Sequence, residues 1–83
     1  MKTINELRRI SSQSPTQWEG ETEDGTEVYI RYRWGKLEMR VGEETYTIGK
    51  NIDPDNGQGM RTDTMERMVN ECEHVDVKIA NIV

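Results

Sequence analysis

Apolar and polar residues alternate through the middle of the chain, and this period of two most constrains the fold. The pattern runs through three segments, residues 28–34, 36–41 and 45–48. Such alternation is typical of strands that bury one face and expose the other to water. It predicts an antiparallel meander whose inward side chains are Val28, Ile30, Tyr32, Trp34, Leu37, Met39, Val41, Tyr46 and Ile48.

The turn between the first two segments predicts their register. Residues 35–36 fit a two-residue turn with glycine in the first position. Such a turn keeps the inward residues of both strands on one face, as the hydrophobic pattern requires. The predicted pairs are Trp34 with Leu37, Tyr32 with Met39, Ile30 with Val41, Arg33 with Glu38 and Arg31 with Arg40.

The position of Trp18 indicates the length of the preceding turn, near Asp24 and Gly25. A two-residue turn at Asp24 and Gly25 would place Trp18 on the solvated face. A three-residue loop, 23–25, with its glycine in the left-handed conformation pairs Trp18 with Ile30 instead. Burial of the indole favours the longer loop. Residues 42–44 predict the next turn of the meander.

The N-terminal residues match the signals of a short helix. Thr3 and Glu6 fit a capping box, and Ile4 and Leu7 are then spaced to share one helical face. Pro15 cannot continue a helix, so the helix is expected to end before it. The sequence therefore predicts a helix ahead of the sheet.

A second helix is predicted near residues 63–73. Asp63 and Glu66 fit another capping box. The apolar stripe of this helix consists of Met65, Met68, Val69 and Cys72. From Val75 onward the alternation returns and predicts a last strand.

Together these segments predict an α+β fold: a four- to five-stranded antiparallel sheet with a short N-terminal helix and a second helix packed on one face. The chain has 83 residues, which is enough for one small domain, residues 1–83. It has no apolar run long enough to span a membrane, no apolar stretch after Met1 like that of a signal peptide, and a single cysteine. These features predict a cytoplasmic protein, in a host cytoplasm if the chain acts there, with no membrane contact.

The composition favours a protein that is not an enzyme and has no cofactor. Cys72 and His74 are the single cysteine and the single histidine, and side chains two residues apart are expected to diverge on a helix. A zinc site needs more such ligands. Residues 53–57 resemble part of a calcium loop but have glycine at the fifth position, where a ligand belongs, so a polar turn is expected.

Acidic residues cluster in the sequence and form the first candidate site. The net charge is −5. A rigid array of carboxylates can imitate a row of phosphates and occupy the basic groove of a nucleic-acid-processing protein, whereas a dispersed set would serve only solubility. The candidate residues are Glu19, Glu21, Glu23, Asp24, Glu27, Glu43 and Glu44.

The solvated face of the sheet offers an alternative site. Basic residues with an aromatic neighbour can bind single-stranded nucleic acid, although they can also be an ordinary ion-paired surface. The residues of this alternative are Tyr29, Arg31, Arg33, Lys36 and Arg40. A third hypothesis is a structural or assembly subunit, a homo-oligomer that pairs through an exposed strand edge.

In size, acidity and lack of catalytic residues, the chain resembles the small inhibitors that bacteriophages make, including anti-CRISPR proteins and DNA mimics. This is a resemblance of type, and no residue role is carried over. It implies a protein partner with a basic surface.

Overall fold

The computed structural model describes residues 2–12, 16–54, 57 and 59–83. Six strands form one sheet in the order β5-β4-β3-β2-β1-β6, and one helix lies between the last two strands in sequence. The elements are β1 (Lys2–Ser12), β2 (Thr16–Thr22), β3 (Glu27–Arg33), β4 (Lys36–Val41), β5 (Glu44–Gly49), α1 (Thr62–Glu71) and β6 (Val77–Ile79). The α+β class and the antiparallel meander are confirmed. The sheet has six strands instead of four or five, and β6 pairs parallel to β1.

The predicted N-terminal helix is wrong, because residues 2–12 form strand β1. The register slips between Asn5, opposite Glu21, and Arg8, opposite Glu19, and Glu6 takes a positive φ of 55°. This β-bulge adds one residue to β1, so that Ile4 and Leu7 both face the core. The three-residue spacing of Ile4 and Leu7, which is typical of one face of a helix, therefore arises here from a bulge in a strand. Residues 13–15, where the helix was expected to end, lie outside the described residues.

The hairpin of β3 and β4 turns one residue earlier than predicted. Trp34 and Gly35 form the two-residue turn, with φ values of 51° and 77°. Positive φ at both positions is the geometry of a type I′ hairpin turn. Every other inward residue keeps its predicted face, because the register moves by two positions. The observed pairs are Arg33 with Lys36, Tyr32 with Leu37, Arg31 with Glu38, Ile30 with Met39, Tyr29 with Arg40 and Val28 with Val41.

Trp34 consequently leaves the predicted core, and its side chain is 83% exposed. The other tryptophan behaves as expected. Trp18 pairs with Ile30 and is fully buried, and the three-residue loop before β3 has Gly25 at a φ of 86°. The ring nitrogen of Trp18 donates a 3.0 Å hydrogen bond to Oγ1 of Thr62 and so links the sheet to the start of α1.

Helix α1 closes the core from one side of the sheet, as predicted. Met65 and Val69 are buried, and Met68 and Cys72 are half-buried. The predicted cap at Asp63 is wrong, since the helix follows Arg61 without a side-chain cap. The buried core residues are Ile4, Leu7, Trp18, Val28, Ile30, Tyr32, Leu37, Met39, Val41, Met60, Met65, Val69, Val75, Val77 and Ile79.

Helix α1 also covers the outer edge of β6. The Asn70 side chain accepts a 2.7 Å hydrogen bond from the backbone N–H of Ile79 and donates one of 3.3 Å to its carbonyl oxygen. An asparagine amide thus takes the place of a neighbouring strand at this residue. Within the described part of the chain, no helix is both long and apolar enough to cross a membrane.

Candidate functional site

Two acidic turns that are distant in sequence touch at one end of the sheet. The backbone N–H of Gly42, in the β4–β5 turn, donates a 2.9 Å hydrogen bond to the carbonyl oxygen of Glu27, the first residue of β3. Gly42 also packs so closely on Thr26 that a methyl group in place of its hydrogen would lie 3.2 Å from Cγ2 of Thr26. The β2–β3 loop and the β4–β5 turn therefore form one surface.

Most of the predicted acidic residues meet on this surface. Glu21 and Glu27 lie directly opposite each other on β2 and β3, next to the loop and the turn. All the side chains of the group are exposed, and no ion pair joins them to a lysine or arginine of the described residues. We call this group the acidic end; its members are Glu21, Glu23, Asp24, Glu27, Glu43 and Glu44.

Glu19 does not join the acidic end. It lies farther along β2, between Arg8 on β1 and Tyr29 on β3. A guanidinium opposite a carboxylate offsets its charge at this position. Six of the seven candidate carboxylates therefore lie together at this end of the sheet and Glu19 lies apart from them, while their role in binding a partner stays a prediction.

Asp24 organises the loop of the acidic end. Its carboxylate accepts hydrogen bonds from the hydroxyl of Thr22, from the hydroxyl of Thr26 at 2.8 Å and from the backbone N–H of Thr26 at 3.2 Å. These hydrogen bonds, that of Thr22 foremost, lower the pKa of Asp24 to about 2. The loop is thus tied by its own carboxylate, and the neighbouring acids project from a fixed backbone.

A tyrosine borders the acidic end on strand β5. The hydroxyl of Tyr46 donates a 3.0 Å hydrogen bond to Oε2 of Glu44. This hydrogen bond raises the pKa of Tyr46 above its ordinary value. Glu44 is thereby held against the strand, whereas Glu43 projects from the turn.

The basic residues of the alternative site do not form a continuous platform. Arg31 lies opposite Glu38, not Arg40, and their side chains are 3.4 Å apart. Lys36 approaches the same carboxylate at 3.2 Å. Partial burial alone would raise the pKa of Glu38, but the hydrogen bonds from Lys36 and Arg31 outweigh it and keep the pKa below its ordinary value. Much of the predicted positive charge is therefore compensated.

A depression of about 400 Å³ crosses the same outer face and carries both signs of charge. Tyr29 and Arg40 form one side of it and pair across β3 and β4. Its charged lining residues are Glu6, Arg8, Glu19, Glu21, Glu27 and Arg40. Carboxylates here would repel the phosphates of a strand lying across the sheet.

The Trp34 turn, residues 33–36, is a second exposed feature, and the hydrophobic pattern did not predict it because it placed Trp34 in the core. The guanidinium carbon of Arg33 lies 4.0 Å from the centre of the Trp34 ring, a cation–π contact. This turn is at the opposite end of the sheet from the acidic end, because successive hairpin turns alternate between ends. A glycine in the second position of a two-residue turn was the signal that could have identified it.

Cys72 and His74 come together, contrary to the expectation from their spacing. Sγ of Cys72 lies 3.3 Å from Nδ1 of His74, and Nε2 of the ring lies 2.9 Å from the carbonyl oxygen of Thr47. A carbonyl only accepts, so Nε2 is the donor in that hydrogen bond, and Nδ1 is the ring nitrogen that faces the thiol. Helix α1 ends at Glu71, so Cys72 and His74 lie beyond it and their side chains do not diverge as they would on a helix. That the protein is not an enzyme stays a prediction.

The structure gathers no metal site among the residues it describes: no three His, Cys, Asp or Glu side chains stand together. Asp55 and Asn56 of the suspected calcium loop lie outside those residues. Compared with family models, with curated proteins and with solved structures, the chain has no significant match.

Proposed function

We propose that the protein is a small protein-binding module that docks through its acidic end on a basic surface of a partner. The protein would act as an inhibitor that occupies the basic groove of a nucleic-acid-processing protein. One observation carries the proposal: the hydrogen bond from Gly42 to Glu27 joins two turns, so that carboxylates from separate hairpins stand side by side.

The acidic end has the properties that favour fast and selective docking. Its carboxylates are exposed, and none of them forms an ion pair with a lysine or arginine of the described residues; Lys2 acts on Asp24 only as a nearby charge that helps to lower its pKa. An excess of charge of one sign steers a partner of opposite charge and rejects others. Its backbone is held by the hydrogen bonds of Asp24 and Gly42, so little conformational freedom is lost on binding.

The alternative of nucleic-acid binding across the sheet face has less support. Arg31 and Lys36 share the carboxylate of Glu38, and Glu19, Glu21 and Glu27 lie on the same face. An assembly role through strand edges is also less supported. Asn70 occupies the edge of β6 at Ile79, and His74 contacts the carbonyl of Thr47 on β5.

The test compares two charge reversals of equal size. Glu23→Lys with Glu43→Lys changes the acidic end, and Glu71→Lys with Glu73→Lys makes the same change in net charge at the exposed end of α1. The partner is captured from nuclease-treated lysate, purified, and titrated with each variant at low and moderate salt. We expect the first variant to bind at least about tenfold more weakly and the second to bind like the native protein.

Two outcomes would contradict the proposal. One is equal affinity of both variants for the purified partner. The other is capture that disappears when the lysate is treated with nuclease, because the ligand would then be the nucleic acid itself.

A further inference from the structure

The Trp34 turn has a residue that folding alone does not favour. Trp34 takes a φ of 51°, a region that bulky residues rarely adopt, and its ring is 83% exposed. Type I′ turns prefer asparagine, aspartate or glycine at this position. Neither the turn geometry nor burial explains a tryptophan here. Residues held in strained conformations tend to cluster at binding sites.

A cavity lies beside this ring. It has a volume of about 370 Å³, and the Trp34 turn forms one wall while residues 51–54 form the other. A cavity of this size is within the range of small-molecule sites. Its lining residues are Tyr32, Arg33, Trp34, Gly35, Asn51, Ile52, Asp53 and Pro54.

The two walls are fixed to each other. The backbone N–H of Ile52 donates a 2.9 Å hydrogen bond to the carbonyl of Gly35, and the buried Tyr32 donates its hydroxyl hydrogen bond to the carbonyl of Ile52. The Ile52 side chain packs against the core. The cavity is therefore formed before any ligand arrives, which reduces the entropy lost on binding.

The groups around this cavity match one kind of ligand. An indole ring with one face covered by the Arg33 guanidinium leaves its other face for a flat ring. Asn51 and Asp53 offer an amide and a carboxylate, the groups that recognise the edges of nucleobases. Arg33 can in addition pair with a phosphate. Lys50 lies at the same end of the sheet, outside the lining, while Lys36 at this end is paired with Glu38; Asp53 is the single acidic residue among the lining residues.

We propose that this cavity binds a nucleobase with its phosphate, stacked on Trp34, either as a free nucleotide or as one residue of a single strand. The site lies at the opposite end of the sheet from the acidic end and shares no residue with it. It does not depend on the proposed docking function, so either can fail alone.

Tryptophan fluorescence tests the proposal directly. Trp18 is fully buried and Trp34 is exposed, so a base that stacks in the cavity quenches the emission of Trp34 and spares that of Trp18. The probes are AMP, GMP, CMP and UMP, a single-stranded RNA octamer, the same octamer in a duplex, and inorganic phosphate. We expect quenching by nucleotides or by the single strand. A much stronger response to the octamer would identify the single strand as the source, and an equal response the free nucleotide.

Three variants complete the experiment, and binding to them is followed by calorimetry. Trp34→Asn keeps a favourable turn, and we expect binding to fall by roughly 5- to 100-fold, since stacking is lost. Arg33→Gln should weaken binding of phosphate-bearing probes roughly tenfold. Ile10→Asn changes another exposed apolar side chain, 45% exposed on β1, and should leave binding unchanged.

Several results would overturn the proposal. These are no response to any nucleotide or strand at millimolar concentration, equal binding by Trp34→Asn, or a response to inorganic phosphate alone. If Trp34→Asn instead abolished binding of the captured protein partner while no nucleotide bound, the turn would be a protein contact and the proposed site would be wrong.

Discussion

The backbone N–H of Gly42 lies 2.9 Å from the carbonyl oxygen of Glu27, and this hydrogen bond joins the two turns of the acidic end. The two residues are on different hairpins, and each hairpin alone would present only part of the negative charge. The close approach depends on a glycine, because Gly42 has a φ of 62° and its hydrogen faces Thr26. Both properties lead to a prediction about stability.

Replacement of Gly42 with alanine should lower the free energy of unfolding by about 1–3 kcal/mol. The new methyl group would lie 3.2 Å from Thr26 Cγ2, in addition to the strain of a positive φ. Gly25→Ala is the matched control, since Gly25 has a φ of 86° but no atom within 4 Å of the added methyl. Urea denaturation measures both. Equal losses would show that the contact with Thr26 contributes nothing.

Gly20→Ala should destabilise the protein through the bulge of β1. A methyl group at Gly20 would lie 3.0 Å from Cα of Leu7 and 3.3 Å from the carbonyl oxygen of Glu6. These are backbone atoms that cannot move without displacing the strand, so a loss of about 1–3 kcal/mol is expected. Thermal unfolding measures it. A midpoint unchanged from that of the native protein would contradict the described bulge.

Those same residues show why the N-terminal strand could not be predicted. Ile4 and Leu7 are three apart, a spacing that indicates a helix when a strand is assumed to alternate without interruption. The bulge at Glu6 breaks the alternation, and it requires a neighbouring strand with a glycine at position 20. The position of the bulge therefore depends on the pairing of β1 with β2 and cannot be predicted from the residues of β1 alone.

The β3–β4 hairpin shows a different limit. Gly35 fits the first position of one turn type and the second of another, and the two registers differ by two residues. A shift of two keeps the inward side chains of both strands, apart from Trp34 in the turn itself, on their face, so the hydrophobic pattern cannot separate the two registers. Trp18, whose face changes with a shift of one, was placed correctly for this reason. That the two acidic turns lie at the same end follows from the meander, but the hydrogen bond from Gly42 to Glu27 and the close packing on Thr26 depend on the observed register, which the pattern left open.

Trp34→Asn should leave the free energy of unfolding unchanged or raise it by up to about 1 kcal/mol. Asparagine tolerates the left-handed conformation better than tryptophan, and this gain opposes the loss of an exposed cation–π contact of about 0.5–1 kcal/mol. Chemical denaturation measures the difference, followed by circular dichroism because the variant loses one of the two tryptophans and its fluorescence is not directly comparable. A decrease well above 1 kcal/mol would mean that the exposed ring supports the fold.

Asp24 should make stability depend on pH in a defined window. Its pKa in the folded protein, about 2, lies below its ordinary value of 3.8, because Thr22 and Thr26 donate hydrogen bonds to the ionised carboxylate. The contribution of the ionised Asp24 to the free energy of unfolding is therefore fully present above pH 3.8, the ordinary pKa, and is lost as the pH falls through about 2. The stability difference between native protein and Asp24→Asn should shrink over this interval in urea titrations. A difference independent of pH would refute the role of the charged form.

The central claim is that the acidic end, and not the net charge of −5, holds the partner. Its most direct test is the affinity of the purified partner for the two charge-matched double variants. We predict that Glu23→Lys with Glu43→Lys loses most of the binding at low salt, while Glu71→Lys with Glu73→Lys retains it. If both variants bound equally well, or both lost binding to the same extent, the acidic end would not be the docking surface.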